Sequence, residues 1–315
     1  MNVLRPKMHI CLAARAISAY QKPMEQAHAS ETGWRGSREG WLEAGYRALI
    51  DSGIDAVKIL PLAKRLMASS VAVVGSSSQL ASCQRLQAQG LECHHWHSQQ
   101  MAQLPSALCT DTVILTLPPS RCPDYLRVLA NLLQQLVQAG CQRLIYIGST
   151  AIYGASAIGD EAHSAQTDSP RGERMAEAEA LVRNSGIPAW CLIRAAGLIG
   201  PQRHPGHFLA GRDGGDGLAP INLVHGEDVI GIVLAVLHQQ AWGEIFNACA
   251  PTHPSRREFY GRACRLIDRE PPGFSERPVL AKQIDGSKVS RVLGYDYRVS
   301  DLLAWLESSS ENEES

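Results

Sequence analysis

The 315-residue chain is 45% hydrophobic and 19% charged, with a formal net charge of −1. This composition fits a soluble globular protein with a substantial core; it excludes a charge-rich disordered chain and a nucleic-acid binder that works through a globally basic field. No apolar run is long enough to span a bilayer, and the N-terminus lacks the apolar core and small-residue cleavage site of a signal peptide, so the expected location is the cytoplasm.

Residues 1–36 are weakly patterned and read as a flexible arm. Over residues 37–66 the pattern becomes helical. Ser37 suits an N-cap, and Trp41, Leu42, Gly45, Leu49 and Ile50 recur at helical spacing. A second helix is expected over Val57–Leu66, with Pro61 in its first turn. Joined at Ser52-Gly53-Ile54-Asp55, the two would form a helical hairpin. At Val71 the period changes. Val71-Ala72-Val73-Val74 is a short apolar run ending at Gly75, as in a buried parallel strand. A helix follows over Leu80–Gln89, closed by Gly90. Further strands are expected at Leu91–Trp96, Thr112–Leu117, Arg143–Gly148 and Ala189–Arg194, with helices at Tyr125–Ala139 and Glu173–Asn184. This alternation predicts an α/β fold, a Rossmann-type doubly wound parallel sheet, extending over residues 67–307. Past Arg194 the chain turns loop-rich and predicts a small C-terminal cap. Arg212–Gly217 reads as a mobile surface loop, Asp228–Gln239 as a helix, Glu244–Asn247 as a strand, Ser255–Ile267 as a helix and 308–315 as a polar tail.

Nine cysteines lie scattered without a C-x-x-C pair, the pattern of reduced thiols. Cys93-His94-His95-Trp96-His97 is the densest set of metal-type ligands. Adjacent residues on a strand alternate faces and do not converge on one ion, so no metal site is expected.

If Val71–Val74 is the first strand of a dinucleotide fold, the turn after it should cradle pyrophosphate. It runs Gly75-Ser76-Ser77-Ser78-Gln79-Leu80, keeping only the first glycine of G-x-G-x-x-G. Serine backbone and hydroxyl groups still offer donors at a helix N-terminus. Leu80 takes the third glycine position, where helix and strand should touch. The strand after it ends in Trp96-His97-Ser98-Gln99-Gln100, without the carboxylate that would pair with a free ribose 2′-hydroxyl. That tilts the expected coenzyme from NAD toward NADP.

Four segments in order carry a resemblance. Gly148-Ser149-Thr150-Ala151-Ile152-Tyr153-Gly154, Arg194–Pro201, Asn222–Val229 and Ile245-Phe246-Asn247 resemble those of the extended short-chain dehydrogenases/reductases, which include epimerases and dehydratases. The Arg203–Phe208, Cys249–Pro254 and Ile284–Ser287 stretches narrow it to the YeeZ-type NAD(P)-binding proteins. The resemblance implies a catalytic hydroxyl at Ser149, with Thr150 beside it. It also implies a coenzyme held by Gly75, Ser76, Ser77, Leu80, Leu117, Pro118, Gly148 and Arg194. The tyrosine–lysine pair that relays the proton in active relatives maps onto Arg171 and Met175, so the usual relay is absent. Tyr153 belongs to the turn and reads as a packed aromatic. His204, His207, Asn222, His225 and Asp228 are further polar residues near the expected cleft, each with a structural alternative.

Ser37–Ala44, Gly53–Val57 and Leu62–Leu66 resemble the start of a TetR-type DNA-binding domain. Its recognition helix is missing, because Met67-Ala68-Ser69-Ser70 leads straight into a strand; nucleic acid is therefore not an expected partner. Residues 1–66 accordingly read as an appendage, from a fusion or from a start placed too far upstream. Three functions stay open: an NAD(P)-dependent oxidoreductase or epimerase with a rearranged site acting on a small molecule, a non-catalytic dinucleotide-binding or sensing protein, and a nucleotide-responsive transcriptional regulator.

Overall fold

The computed structural model describes residues 47–50, 56–98, 103–117, 119, 122–154, 158–162, 167–201, 203–275 and 281–311. The expected arm 1–36 lies outside them, as does most of the first expected helix. Seven parallel strands make the central sheet: β1 (Arg47–Ile50), β2 (Val73–Ser77), β3 (Glu92–His95), β4 (Thr112–Leu115), β5 (Arg143–Ser149), β7 (Ala189–Ala195) and β11 (Glu244–Ala248). Their order is β11-β7-β5-β4-β1-β2-β3. The chain starts in the middle, winds out to β3, then returns past β1 to β4 and winds out the other way. This is the doubly wound order, and its switch point lies between β1 and β4.

The sheet corrects the sequence reading at its start. Arg47–Ile50, expected to be helical, is the central strand, with Arg47 opposite Val73 on one side and Thr112 on the other. The strand taken as first is therefore the second. A short run such as Ala48-Leu49-Ile50 after Arg47 does not distinguish strand from helix by periodicity, and with Trp41, Leu42 and Gly45 before it the sequence spacing reads as helical. The next helix, α1 (Ala56–Ala68), forms near its expected place and tolerates Pro61 inside it. It buries Leu62, Ala63 and Leu66 against Val71, Val73 and Leu86, so β1 and α1 are part of the fold and not an appendage. The segment resembling a helix-turn-helix is thus divided between residues outside the described set and a strand and helix of the sheet.

Both sheet faces are covered, as parallel strands require. On one side α1, α2 (Leu80–Gln87) and a later helix, α6 (Gly226–Gln239), close one core cluster. On the other, α3 (Tyr125–Gln138) and α4 (Pro170–Arg183) pack Leu129, Leu132, Leu136, Met175, Ala178 and Val182 against Leu144 and Leu192. Gly90 and Gly140 end the turns after α2 and α3 at positive φ, as their positions predicted. The cap carries α5 (Gly206–Leu209), α7 (Arg256–Arg265), α8 (Ser287–Leu293) and α9 (Leu302–Glu311). It also carries three short parallel pairs: β8 (Gly197–Ile199) with β10 (Leu223–His225), β9 (Asp213–Asp216) with β12 (Gly273–Ser275), and β6 (Ile158–Gly159) with β13 (Gln283–Ile284).

Two further expectations change here. The supposed mobile loop Arg212–Gly217 contains β9; its glycines let the strand lie flat on the Phe274 ring, where a Cβ at Gly214 would overlap it. The supposed polar tail is helical up to Glu311, because Leu302 and Leu306 seat α9 on Phe259 and Val299 in a third core cluster. Among the described residues no helix is long and apolar enough to cross a membrane, and no His, Cys, Asp or Glu side chains group as metal ligands.

Candidate functional site

The ends of β4, β5, β7 and β11 build the best-defined polar region of the sheet's carboxyl edge, where open α/β sheets place their ligands. In register, Gly148 of β5 lies opposite Arg194 of β7, and Arg194 opposite Asn247 of β11. Gly148 leaves this row room: a Cβ there would approach the Tyr146 ring to 3.1 Å and stand 3.8 Å from Glu179 Oε1. Arg194 Nε donates to Glu179 Oε1 at 2.9 Å and Nη2 to Oε2 at 2.8 Å, a two-pronged pair with side chains 5% and 2% exposed. Nη1 donates to the Tyr153 hydroxyl at 2.6 Å. Burial pulls the Arg194 pKa down, but the Glu179 hydrogen bonds and charge outweigh it, and the guanidinium stays charged.

Tyr153 is packed into this row, 2% exposed, with the Arg194 guanidinium over its ring. Its hydroxyl has two acceptors within reach, the Asp160 carbonyl at 2.9 Å and Asn247 Oδ1 at 3.0 Å. Burial raises its pKa, against the pull of Arg194. A phenol so enclosed is a brace, as its place in the turn implied. Asn247 carries the brace onward, donating from Nδ2 to the carbonyls of Gly159 and Asp285 and so joining β6 and β13 to the sheet edge. Arg194, expected to touch coenzyme, is buried and has three of its five N–H donors on Glu179 and Tyr153; we read it as support for the edge.

Above this base stands Ser149, the last residue of β5. Its Oγ accepts from the Ala151 amide at 3.2 Å and caps the 3₁₀ turn Thr150–Ile152. The serine is half-buried and its O–H stays available as a donor. Thr150, its neighbour, is buried at 6% exposure. The two positions that the resemblance aligns with tyrosine and lysine have separate fates. Arg171 is exposed on the first turn of α4, and Met175 is 2% exposed inside the core. The sequence pattern missed Lys282. It arrives from the far end of the chain, and its Nζ donates to the carbonyls of Thr150 at 3.1 Å and Tyr153 at 3.3 Å.

The residues expected to hold pyrophosphate lie elsewhere than the pattern implied. Gly75 is inside β2, not in a turn, and a Cβ there would meet only ordinary contacts, the nearest at 3.5 Å to Leu91. Ser76 and Ser77 end the same strand, 3% and 6% exposed. Ser77 Oγ accepts from the Gln79 amide at 3.2 Å, while Ser76 Oγ is buried with no partner among the described residues. Leu80, expected where helix meets strand, is 55% exposed. Their displacement follows from β2 being the second strand: the first strand-to-helix connection is residues 51–55, outside the described set. Leu117, 2% exposed, follows β4 at the switch point, and Pro118 also lies outside the described residues.

The remaining polar residues serve the cap. Asp228 accepts from the Tyr295 hydroxyl and the amides of Arg298 and Val299, pinning the C-terminal segment to α6. His225 caps α6, its Nδ1 accepting from the Glu227 amide at 3.2 Å, and its Nε2 is buried without a partner among the described residues. His204 Nδ1 accepts from the Gly206 amide, and His207 meets it edge-on with ring centroids 6.3 Å apart. Asn222 fixes the chain around Lys282.

No family model matches the chain. It is 32% identical to protein YeeZ of Escherichia coli K12 over 261 residues, 78% of this chain and 93% of that protein. Its fold matches that of a putative NAD-dependent epimerase/dehydratase from Methylobacillus flagellatus, with a TM-score of 0.69 at 18% identity over 85% of this chain and 99% of that one. It also matches the UDP-glucuronic acid 4-epimerase of Bacillus cereus, solved with UDP-glucuronic acid and NAD, at a TM-score of 0.64 and 18% identity over 84% of this chain and 98% of that one. The chain belongs to the YeeZ family and carries the fold of the extended short-chain dehydrogenases/reductases.

Proposed function

We propose that this protein binds a nicotinamide dinucleotide across the carboxyl edge of its sheet and acts as an oxidoreductase or epimerase on a small molecule placed at Ser149. The observation that carries the reading is the β4-β1-β2 order: it opens a switch-point crevice beside the edge that holds Ser149. In such a fold pyrophosphate lies over the connection after the first strand, and the adenosine ribose meets the end of the second strand. That end is Ser76-Ser77, and its buried Ser76 hydroxyl, without a partner among the described residues, fits a ligand oxygen. No carboxylate stands in Ser76-Ser77-Ser78-Gln79 to repel a 2′-phosphate, so the tilt toward NADP stays, moved to these residues. Both fold relatives described above are NAD-associated by name, which supports the coenzyme class.

When bound, the nicotinamide would supply or accept hydride. The chain's own part is orientation and proton handling. Ser149, held by its own cap, donates a hydrogen bond to a substrate oxygen. The Arg194–Glu179–Tyr153 base keeps the edge rigid under it. With Arg171 and Met175 at the relay positions, the proton must come through another group or through water.

The test is fluorescence titration with NADPH and NADH, followed by a screen of carbonyl substrates for NADPH oxidation. Saturable binding, with turnover that falls 10²-fold or more in Ser149→Ala, is expected. Binding without turnover would favour a sensing protein. Affinity for neither coenzyme would refute the proposal.

A further inference from the structure

Lys282 enters the site from the cap, just before β13. Asn222 grips the backbone around it: Nδ2 donates to the Lys282 carbonyl at 2.9 Å, and Oδ1 accepts from the Ile284 amide at 2.8 Å. β13 continues this hold, pairing with β6. The lysine's root is therefore fixed, and its stem reaches the 3₁₀ turn that Ser149 caps.

Two of its ammonium hydrogens serve the carbonyls of Thr150 and Tyr153. An ammonium has three, so one donor is left. The other half-buried lysine with a described ammonium, Lys288, is paired with Glu244 at 2.8 Å. Lys282 has no carboxylate within ion-pairing distance among the described residues. Asp168 and Arg171 act on it from farther away and in opposite senses, and burial lowers its pKa. A half-buried cation without a directly paired carboxylate is costly unless something it binds supplies the counter-charge. Arg171, exposed at the start of α4, adds a second positive charge on the same side.

We propose that Lys282 is the substrate-facing cation of this site, its free N–H receiving an anionic oxygen, carboxylate or phosphate, of the small molecule beside Ser149. The inference rests on the reading of the Ser149 edge as the substrate site. It names the substrate class that the reading leaves open: a small anion-bearing molecule, with selectivity lodged in the cap rather than in the dinucleotide half.

The test is chemical and needs no turnover. The full chain is acetylated with trace acetic anhydride in chloride, inorganic phosphate or malonate at matched ionic strength, and each lysine is read by mass spectrometry. Phosphate or malonate should slow labelling of Lys282 at least fivefold and leave exposed Lys64 unchanged; which anion protects tells phosphate from carboxylate. The protecting anion should also raise the Tm of the wild type and of Lys282→Arg, and not that of Lys282→Met, whose unliganded Tm serves as its own baseline. Equal labelling of Lys282 in all three salts would overturn the proposal, as would the same anion-dependent rise in Lys282→Met. Coenzyme titration separates the two readings. Intact coenzyme binding with unprotected Lys282 refutes only this inference; protected Lys282 without coenzyme binding refutes only the coenzyme.

Discussion

Removing the Glu179 carboxylate should be among the most damaging single changes in the protein. Glu179 and Arg194 are 2% and 5% exposed, and Glu179 takes both forks of the guanidinium. In Glu179→Ala the arginine stays charged, buried and answered only by the Tyr153 hydroxyl. An orphaned buried charge of this kind costs about 3–5 kcal/mol, which for a domain of this size lowers Tm by roughly 6–20 °C. Tyr153→Phe removes one acceptor from Arg194 and leaves the pair intact, so it should cost only about 1–3 kcal/mol. The double variant Glu179→Leu/Arg194→Met removes both charges at similar volume and should recover most of the Glu179→Ala loss. Urea unfolding of the four proteins, followed by circular dichroism, measures the set. A Glu179→Ala loss below about 1 kcal/mol, or a double variant no more stable than Glu179→Ala, would refute the claim that a buried ion pair underlies the site.

Two other outcomes follow from the fold and the cap. A chain starting at Met67 lacks β1 and α1, which hold β2 against β4, so it should fail to give a cooperative thermal transition; a wild-type Tm in that truncation would show that Arg47–Ile50 is not the central strand. Burial holds the His225 pKa below its ordinary value, against the carboxylates of Asp228 and Glu227. The unfolded chain therefore binds the extra proton first: the stabilisation is fully present above about pH 6.5 and is lost as pH falls below it. Asparagine keeps the α6 cap without titrating, so His225→Asn should flatten the fall in unfolding free energy between pH 7 and 5; an unchanged slope would contradict this.

Much of the architecture is legible in the residues because parallel strands and their helices carry strong, separate signals. β4, β5 and β7 stand within a residue or two of where their apolar runs predict them, and Gly90 and Gly140 stop their helices. The start was misread because a four-residue strand beside Leu42 and Trp41 mimics helical spacing, and that one error moved the expected phosphate turn one βα unit along the chain. Site chemistry was legible where it is local: Ser149 sits on its own strand and caps its own turn. It was hidden where it depends on tertiary contact. Nothing near Lys282 in the sequence indicates that its amine reaches carbonyls about 130 residues away. Arg194 shows a further tertiary effect: its segment suggested a ligand contact, and only its position opposite Gly148 shows that its guanidinium meets Glu179 and Tyr153.

The proposed coenzyme position is over the switch point between β1 and β4. Hydrogen exchange with and without saturating NADPH tests it by peptide. Slowed exchange is expected in peptides spanning residues 47–60, 74–79 and 112–119, with the α3 peptides unchanged. Protection absent from 47–60 while NADPH is bound would contradict it.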